Sequence, residues 1–71
     1  MVTISKSAQN VLAYLRKRTV PQKISDIQRA TGLDYRLIHG ALFDLEELGF
    51  VIESRSHNQT AHFHVTFAGM G

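Results

Sequence analysis

The sequence predicts a single α+β domain in which three helices are followed by a C-terminal β-hairpin. Apolar residues recur at helical spacing through the first two thirds of the chain, with capping residues and glycines between the repeats. After Gly49 two segments alternate between apolar and polar residues, which is typical of half-buried strands. A chain of 71 residues is long enough for one core of modest size.

The first helix is predicted from Lys6 to about Arg18. Ser5 precedes it as an N-cap, and Tyr14 lies beside its apolar stripe with the hydroxyl expected at the surface. The basic triplet 16–18 suits the negative end of the helix dipole. We interpret this triplet as a solvated helix end, with a phosphate contact as the alternative. The apolar stripe consists of Ala8, Val11, Leu12 and Leu15.

A second, short helix is predicted over about residues 26–31, after the chain's single proline, Pro21. Ser25 would be its N-cap, because Gln28 stands three residues later as in a capping box. Gly32 can adopt the left-handed conformation that ends a helix. The chain near Ile24 is a candidate for a very short strand against the hairpin.

The third helix is predicted over about residues 35–48, with Asp34 as its N-cap. Leu33 and Ile38 have the spacing of a hydrophobic staple, which fixes the direction in which the chain enters the helix. Gly49 would end it. The apolar face consists of Ile38, Ala41, Leu42, Leu45 and Leu48.

The hairpin is predicted from strands at about residues 50–56 and 61–67, joined by a polar loop. One face would complete the core and the other would be wet, and residues 68–71 are expected to fray. The pairs expected on the core side are Phe50 with Phe67, Ile52 with Val65 and Ser54 with Phe63.

A resemblance is carried by residues 24–52, ISDIQRATGLDYRLIHGALFDLEELGFVI, together with the flanking helix and hairpin. They resemble the winged helix-turn-helix domains of small bacterial and archaeal transcription regulators of the MarR or ArsR kind. The resemblance implies a transcriptional regulator that binds double-stranded DNA, with the third helix in the major groove and the hairpin, or wing, beside it. Such regulators usually dimerise through further helices. A homodimer of this chain would instead use the first helix, the Phe43 face or the edge of the wing.

The DNA-binding residues are expected on the third helix, around the second helix and on the wing. Arg36 could pair with guanine through two hydrogen bonds, and Gly40 would let the helix approach DNA closely. Phe43 could contact a thymine methyl group, contact a partner protein, or tuck under the wing as core. The expected DNA-binding residues are Ser25, Arg29, Thr31, Tyr35, Arg36, His39, Gly40, Phe43, Arg55, His57 and Asn58.

Charge leaves a second interpretation open. The formal net charge is only +2, and acidic residues cluster after residue 40. A winged helix that binds a protein partner through Phe43 and Glu47 is therefore the alternative.

Other classes of function are disfavoured. The wing histidines 57, 62 and 64 with Glu53 could suggest a metal site, but it would be flat and the chain has no cysteine. No phosphate-binding loop or nucleophile motif is present, so neither an enzyme nor a cofactor or small-molecule substrate is expected. No segment resembles a membrane span or signal peptide, so a cytoplasmic location is expected.

Overall fold

The computed structural model describes residues 3–55 and 60–70. Three helices are followed by an antiparallel hairpin and one further helical turn, which is the predicted α+β winged helix-turn-helix architecture. No helix in the described part of the chain is long and apolar enough to cross a bilayer. The elements are α1 (Lys6–Arg16), α2 (Ile24–Thr31), α3 (Tyr35–Glu47), β1 (Val51–Arg55), β2 (Ala61–Val65) and α4 (Phe67–Met70).

Helix α1 begins at the predicted cap and ends two residues early. The Ser5 hydroxyl accepts a hydrogen bond of 3.1 Å from the backbone N–H of Ala8. At the other end, the N–H groups of Lys17 and Arg18 donate to carbonyls three residues back rather than four. This tighter last turn uses up two of the carbonyls that a helix end leaves unpaired, and the chain then leaves the helix axis.

The start of α2 differs from the prediction, because the N-cap is Lys23 rather than Ser25. The backbone N–H of Lys23 donates to the Asp26 carboxylate at 3.2 Å. Just upstream, Gln22 and Phe63 exchange two backbone hydrogen bonds of 2.8 Å. This bridge fixes the chain before the helix, so α2 starts at once. The short extended contact expected near Ile24 is therefore made at Gln22.

The turn between α2 and α3 follows the local sequence signals. Gly32 has a φ of +74°, the left-handed conformation predicted for it. The Asp34 carboxylate accepts a hydrogen bond of 3.0 Å from the N–H of Leu37, as an N-cap does. Leu33 is half-buried against the core and Ile38 is fully buried.

The core lies where the three long helices meet the inner face of the hairpin. The predicted apolar faces of α1 and α3 are buried in it, apart from Leu48, which is exposed. Its members are Ala8, Val11, Leu12, Leu15, Ile27, Ile38, Ala41, Leu42, Leu45, Val51 and Phe63.

The predicted hairpin register is wrong by one residue. Val51 pairs with Val65, and Glu53 pairs with Phe63. Val51 is therefore the buried residue of β1, and Ile52 is 50% exposed. The cause lies at Phe50, whose N–H donates to the Leu45 carbonyl of α3 while its own carbonyl accepts from Thr66. Phe50 is thus held by the end of α3, and the strand starts one residue later. The expected pairs of Phe50 with Phe67, Ile52 with Val65 and Ser54 with Phe63 do not form.

The C-terminal residues are helical where fraying was expected. The Thr66 hydroxyl donates to the Gly49 carbonyl at 2.6 Å and accepts from the N–H of Gly69 at 3.1 Å. β2 therefore ends at Val65, and Phe67 opens a single helical turn with its side chain 98% exposed. The Arg16 Nε donates to the Gly69 carbonyl at 2.7 Å, which ties this turn to α1.

Candidate nucleic-acid interface

An open groove runs between α3 and the wing, and we call it the wing groove. Four of the expected DNA-binding residues line one end of it: Ser25, Tyr35, His39 and Arg55. Lys23 lines the same end, at the start of α2. The fold therefore gathers side chains from three separate segments of the chain around one concave surface. Cationic Lys23 and Arg55 make this end of the groove attractive to anions.

The other end of the wing groove is acidic and partly apolar. His39 and Arg55 line this end as well, together with Phe43, Glu46 and Glu53. Phe43 is 63% exposed, so the expectation that it tucks under the wing as core is wrong. An aromatic ring this exposed beside a groove is available to contact a base or a partner.

Two aromatic rings are in contact at the start of α3. The ring centroids of Tyr35 and His39 lie 4.4 Å apart with their planes tilted by 60°. Residues four apart on a helix are neighbours, which is why the two rings meet. The contact brings a phenol ring and an imidazole ring together at the basic end of the groove.

Arg36 and Gly40 lie on the exposed face of the same helix. Within residues 3–55 and 60–70, no ion pair involves the Arg36 guanidinium. At Gly40, an added Cβ would meet no atom of the described residues within 4 Å, apart from its chain neighbours and the backbone of its own helix. No described residue therefore requires glycine here, although glycine costs about 1 kcal/mol relative to alanine in a helix.

Charges on the wing are partly compensated. The Arg55 guanidinium lies 3.0 Å from the Glu53 carboxylate, two residues away on the same face of β1. Partial burial raises the pKa of the Glu46 carboxyl on α3 above its usual value, and the nearby negative charge of Glu53 raises it further. Negative charge thus concentrates at the acidic end of the groove.

Two residues of α2 that were expected to bind DNA do not line the wing groove. One makes hydrogen bonds within the protein, and the other lies on a separate surface. The Thr31 hydroxyl donates to the Ile27 carbonyl at 2.8 Å and accepts from the N–H of Leu33 at 3.3 Å, so it stabilises the turn before α3. Arg29 lies in a separate depression with Arg18 and Asp26. The expected wing contacts His57 and Asn58 lie outside the described residues.

Sequence reasoning missed the partners of Tyr14. The Tyr14 hydroxyl, expected at the surface, donates a hydrogen bond of 2.6 Å to the Gln22 side chain. The Arg18 guanidinium lies over the Tyr14 ring, 5.0 Å from its centroid. The only local signal was an arginine four residues after a tyrosine, since the Gln22 contact depends on how the loop folds back.

The three described members of the metal-binding set considered from the sequence do not lie on one face of the hairpin. Glu53 pairs with Phe63, whereas His62 and His64 alternate with Phe63 along β2 and so belong to the opposite face of the hairpin. No group of three metal-ligating residues occurs in the described parts of the chain. His57, the fourth residue of the set, lies outside them.

Comparison with known proteins gives structural neighbours only. No family model and no curated protein matches the chain. The E41A mutant of Lactococcus lactis ZitR superposes with a TM-score of 0.84 at 17% identity, over 97% of this chain and 47% of that one. Staphylococcus aureus MepR, a transcription regulator of the multidrug efflux pump MepA, gives 0.83 at 18% identity, over 94% and 50%. A protein from Ralstonia eutropha gives 0.79 at 20% identity, over 96% and 90%.

These matches confirm the fold that the sequence resemblance implied. The chain has a winged helix-turn-helix fold, and its structural neighbours include transcription regulators of the MarR kind. At these identities the likeness concerns the fold alone. The chain spans about half the length of ZitR and MepR.

Proposed function

We propose that this chain binds double-stranded DNA as the DNA-reading domain of a transcriptional regulator. The observation that carries the proposal is the wing groove, whose basic end gathers Lys23, Ser25, Tyr35, His39 and Arg55 beside the exposed face of α3. The fold supports it, since MepR in its DNA-binding conformation superposes with a TM-score of 0.80 at 18% identity. In this fold class the second helix of the motif enters the major groove.

The first half of α3 suits the major groove. An α-helix with its side chains is about 10–12 Å across, close to the width of about 12 Å of that groove. Arg36 projects from the exposed face with planar donors that match the O6 and N7 acceptors of guanine. Tyr35 and His39 would donate to a phosphate or a base edge from the flank of the helix, and Arg55 would contact backbone or minor groove.

The second half of α3 limits how deeply the helix enters. Asp44, Glu46 and Glu47 are exposed, and Glu53 lines the wing groove together with Glu46. Carboxylates at this end would repel phosphates. Only the first two turns of α3 should therefore lie in the major groove. A single copy makes few contacts in this arrangement, so we expect weak binding that falls steeply with salt.

Fluorescence anisotropy of a labelled mixed-sequence duplex tests the proposal. Arg36→Gln should reduce affinity by about 5- to 150-fold, the range of about 1–3 kcal/mol for losing a paired base contact. Lys6→Gln is the matched control, because it removes one exposed positive charge at the start of α1. Its neighbour Ser5 lies with Asp44 and Glu47, at the other end of α3 from Arg36. Equal effects of the two substitutions would contradict a base-reading role for Arg36.

A second candidate is favoured by the exposure of Phe43. An aromatic ring 63% exposed among Asp44, Glu46 and Glu47 would suit a protein partner with an apolar pocket and basic rim. If the duplex fails to bind even at low salt, this interpretation replaces the first. If DNA binds and Phe43→Ala reduces its affinity, Phe43 belongs to the DNA interface.

A further inference from the structure

A second concave surface lies at the start of α2, away from the wing groove. It is lined by Tyr14, Arg18, Gln22, Asp26, Arg29 and Ala30, and we call it the arginine depression. Of these residues, Arg29 was expected to bind DNA, and Arg18 belongs to the basic triplet 16–18, for which a phosphate contact was the alternative interpretation. The depression is lined by two arginines from different segments, Arg18 just after the end of α1 and Arg29 on α2.

Arg18 is held in place by a chain of contacts that reaches the wing. Its guanidinium stacks on the Tyr14 ring at 5.0 Å, a distance at which a cation–π attraction operates. Tyr14 is fixed by its 2.6 Å hydrogen bond to Gln22. Gln22 is 9% exposed, and its backbone pairs with Phe63 of β2 through two hydrogen bonds. A surface arginine oriented in this way loses less conformational freedom when it binds an anion.

The charge balance of the depression favours an anion. Among the described residues, neither Arg18 nor Arg29 takes part in an ion pair. Asp26 is the one acid among the described residues that line the depression, and it already accepts a hydrogen bond from the Lys23 backbone as part of the α2 cap. Two unpaired guanidinium groups against one carboxylate leave a net positive charge. Guanidinium donors match the oxygens of a phosphate through paired hydrogen bonds.

The position of the depression relative to α3 fits a DNA strand. Lys23 and Ser25 line the wing groove, whereas Gln22 and Asp26 line the depression, so the two surfaces flank the first turn of α2. In a helix-turn-helix, the first helix of the motif crosses the DNA backbone while the second occupies the major groove. A strand bordering that groove would therefore pass over the start of α2 and reach the depression.

We propose that the arginine depression binds a backbone phosphate of the duplex that α3 reads, with Arg18 and Arg29 donating to its oxygens. Tyr14 and Gln22 are positioning residues that act through Arg18. The inference rests on the proposed function, because it places the phosphate on the same DNA. It adds a contact outside the wing groove, which anchors the protein without reading sequence.

The salt dependence of binding tests this contact. Each phosphate neutralised contributes about 0.9 to the slope of log affinity against log salt. Because both arginines contact one phosphate, Arg18→Gln and Arg29→Gln should each flatten the slope by part of that amount, and the double variant by roughly the whole of it. Lys6→Gln, the matched control, should leave the slope unchanged. Tyr14→Leu should flatten the slope as Arg18→Gln does, and combining these two should add nothing further.

The outcomes separate this inference from the proposed function. If Arg36→Gln weakens binding but the Arg18 and Arg29 variants keep the wild-type slope, the arginine depression does not contact DNA and this inference alone fails. If no duplex binds the wild-type protein, both the proposed function and this inference fail. If inorganic phosphate shifts the amide signals around Arg18 and Arg29 but duplex DNA does not, the site binds free phosphate and the proposal is overturned. Thermal melting of each variant shows whether it is folded.

Discussion

Replacing Gly40 with alanine should stabilise the protein and at the same time weaken its binding to DNA. Gly40 lies inside α3 on the exposed face that also carries Arg36. Glycine in a helix interior is less favourable than alanine by about 0.8–1.0 kcal/mol. Because an added Cβ would lie within 4 Å of no other part of the described structure outside its own helix, no steric cost is expected to offset this gain. For a domain of this size, a gain of about 1 kcal/mol raises the Tm by about 4–8 °C.

The effect on DNA binding should have the opposite sign. If α3 approaches DNA closely at Gly40, the new methyl group intrudes on the contact as overpacking does, at a cost of about 1–3 kcal/mol. This corresponds to an affinity lower by about 5- to 150-fold. The gain in helix propensity affects the free and bound protein equally, so it does not compensate.

Two assays on the same Gly40→Ala sample test the expected gain in stability and the expected loss of affinity. Circular dichroism gives the Tm, and anisotropy with a labelled duplex gives the affinity. A variant that is more stable and binds the duplex as tightly as wild type would show that α3 does not approach DNA closely at Gly40. A variant that is less stable would refute the structural premise that the position is open.

Three further predictions concern single positions. Gly69→Ala should lower the Tm, by about 4–8 °C per kcal/mol lost, because its Cβ would collide with the Phe50 carbonyl and unseat α4. Asp34→Ala should cost about 1 kcal/mol, since it removes the N-cap of α3, and a urea melt measures the loss. Glu46→Gln should stabilise the protein at pH 7 more than at pH 4. Partial burial and Glu53 raise the pKa of Glu46, so the native state binds this proton more tightly than the unfolded state, and stability falls as pH rises from about 4.5 through the raised pKa.

Each of these three has a result that would contradict it. An unchanged or higher Tm for Gly69→Ala would mean that α4 is not seated against Phe50. An Asp34→Ala variant as stable as wild type would show that its cap contributes nothing measurable. For Glu46→Gln, a Tm difference from wild type that is the same at pH 4 and pH 7 would show that the ionised Glu46 carboxylate does not destabilise the native state.

Sequence patterns predicted the parts of the fold that depend on neighbouring residues. The caps at Ser5 and Asp34 and the left-handed turn at Gly32 arise from interactions within a few residues, so the local signal was sufficient. The cap of α2 was predicted at Ser25 and found at Lys23. That difference has a long-range cause, since the backbone of Gln22 pairs with β2 some forty residues later in the chain.

The hairpin shows where alternation alone is ambiguous. Apolar residues Phe50, Val51 and Ile52 are consecutive, so either face of the first strand could have been the core face. The end of α3 decides between them, because its Leu45 carbonyl binds the N–H of Phe50 and turns Val51 inward. A contact between a helix end and a strand start carries no periodic signal.

The candidate site also has a part that local sequence patterns predicted and a part that they did not. Helical periodicity placed Tyr35, Arg36 and His39 on the exposed side of α3, and the structure has all three exposed. The arginine depression could not be predicted, because Arg18 depends on Tyr14 and Gln22, which meet only when the loop between α1 and α2 folds back. Sequence spacing describes one helix at a time, whereas this surface joins two helices and a loop.

The most direct test of DNA binding is an amide-shift titration of isotopically labelled protein with a short mixed-sequence duplex. It should be run at about 50 and 200 mM salt, a range over which phosphate contacts change affinity steeply. If α3 and the wing contact DNA, we expect shifts at Lys23, at residues 35–40 and at Arg55, all weaker at the higher salt. Absence of shifts at the lower salt, or shifts confined to the surface around Phe43 and Glu47, would contradict it.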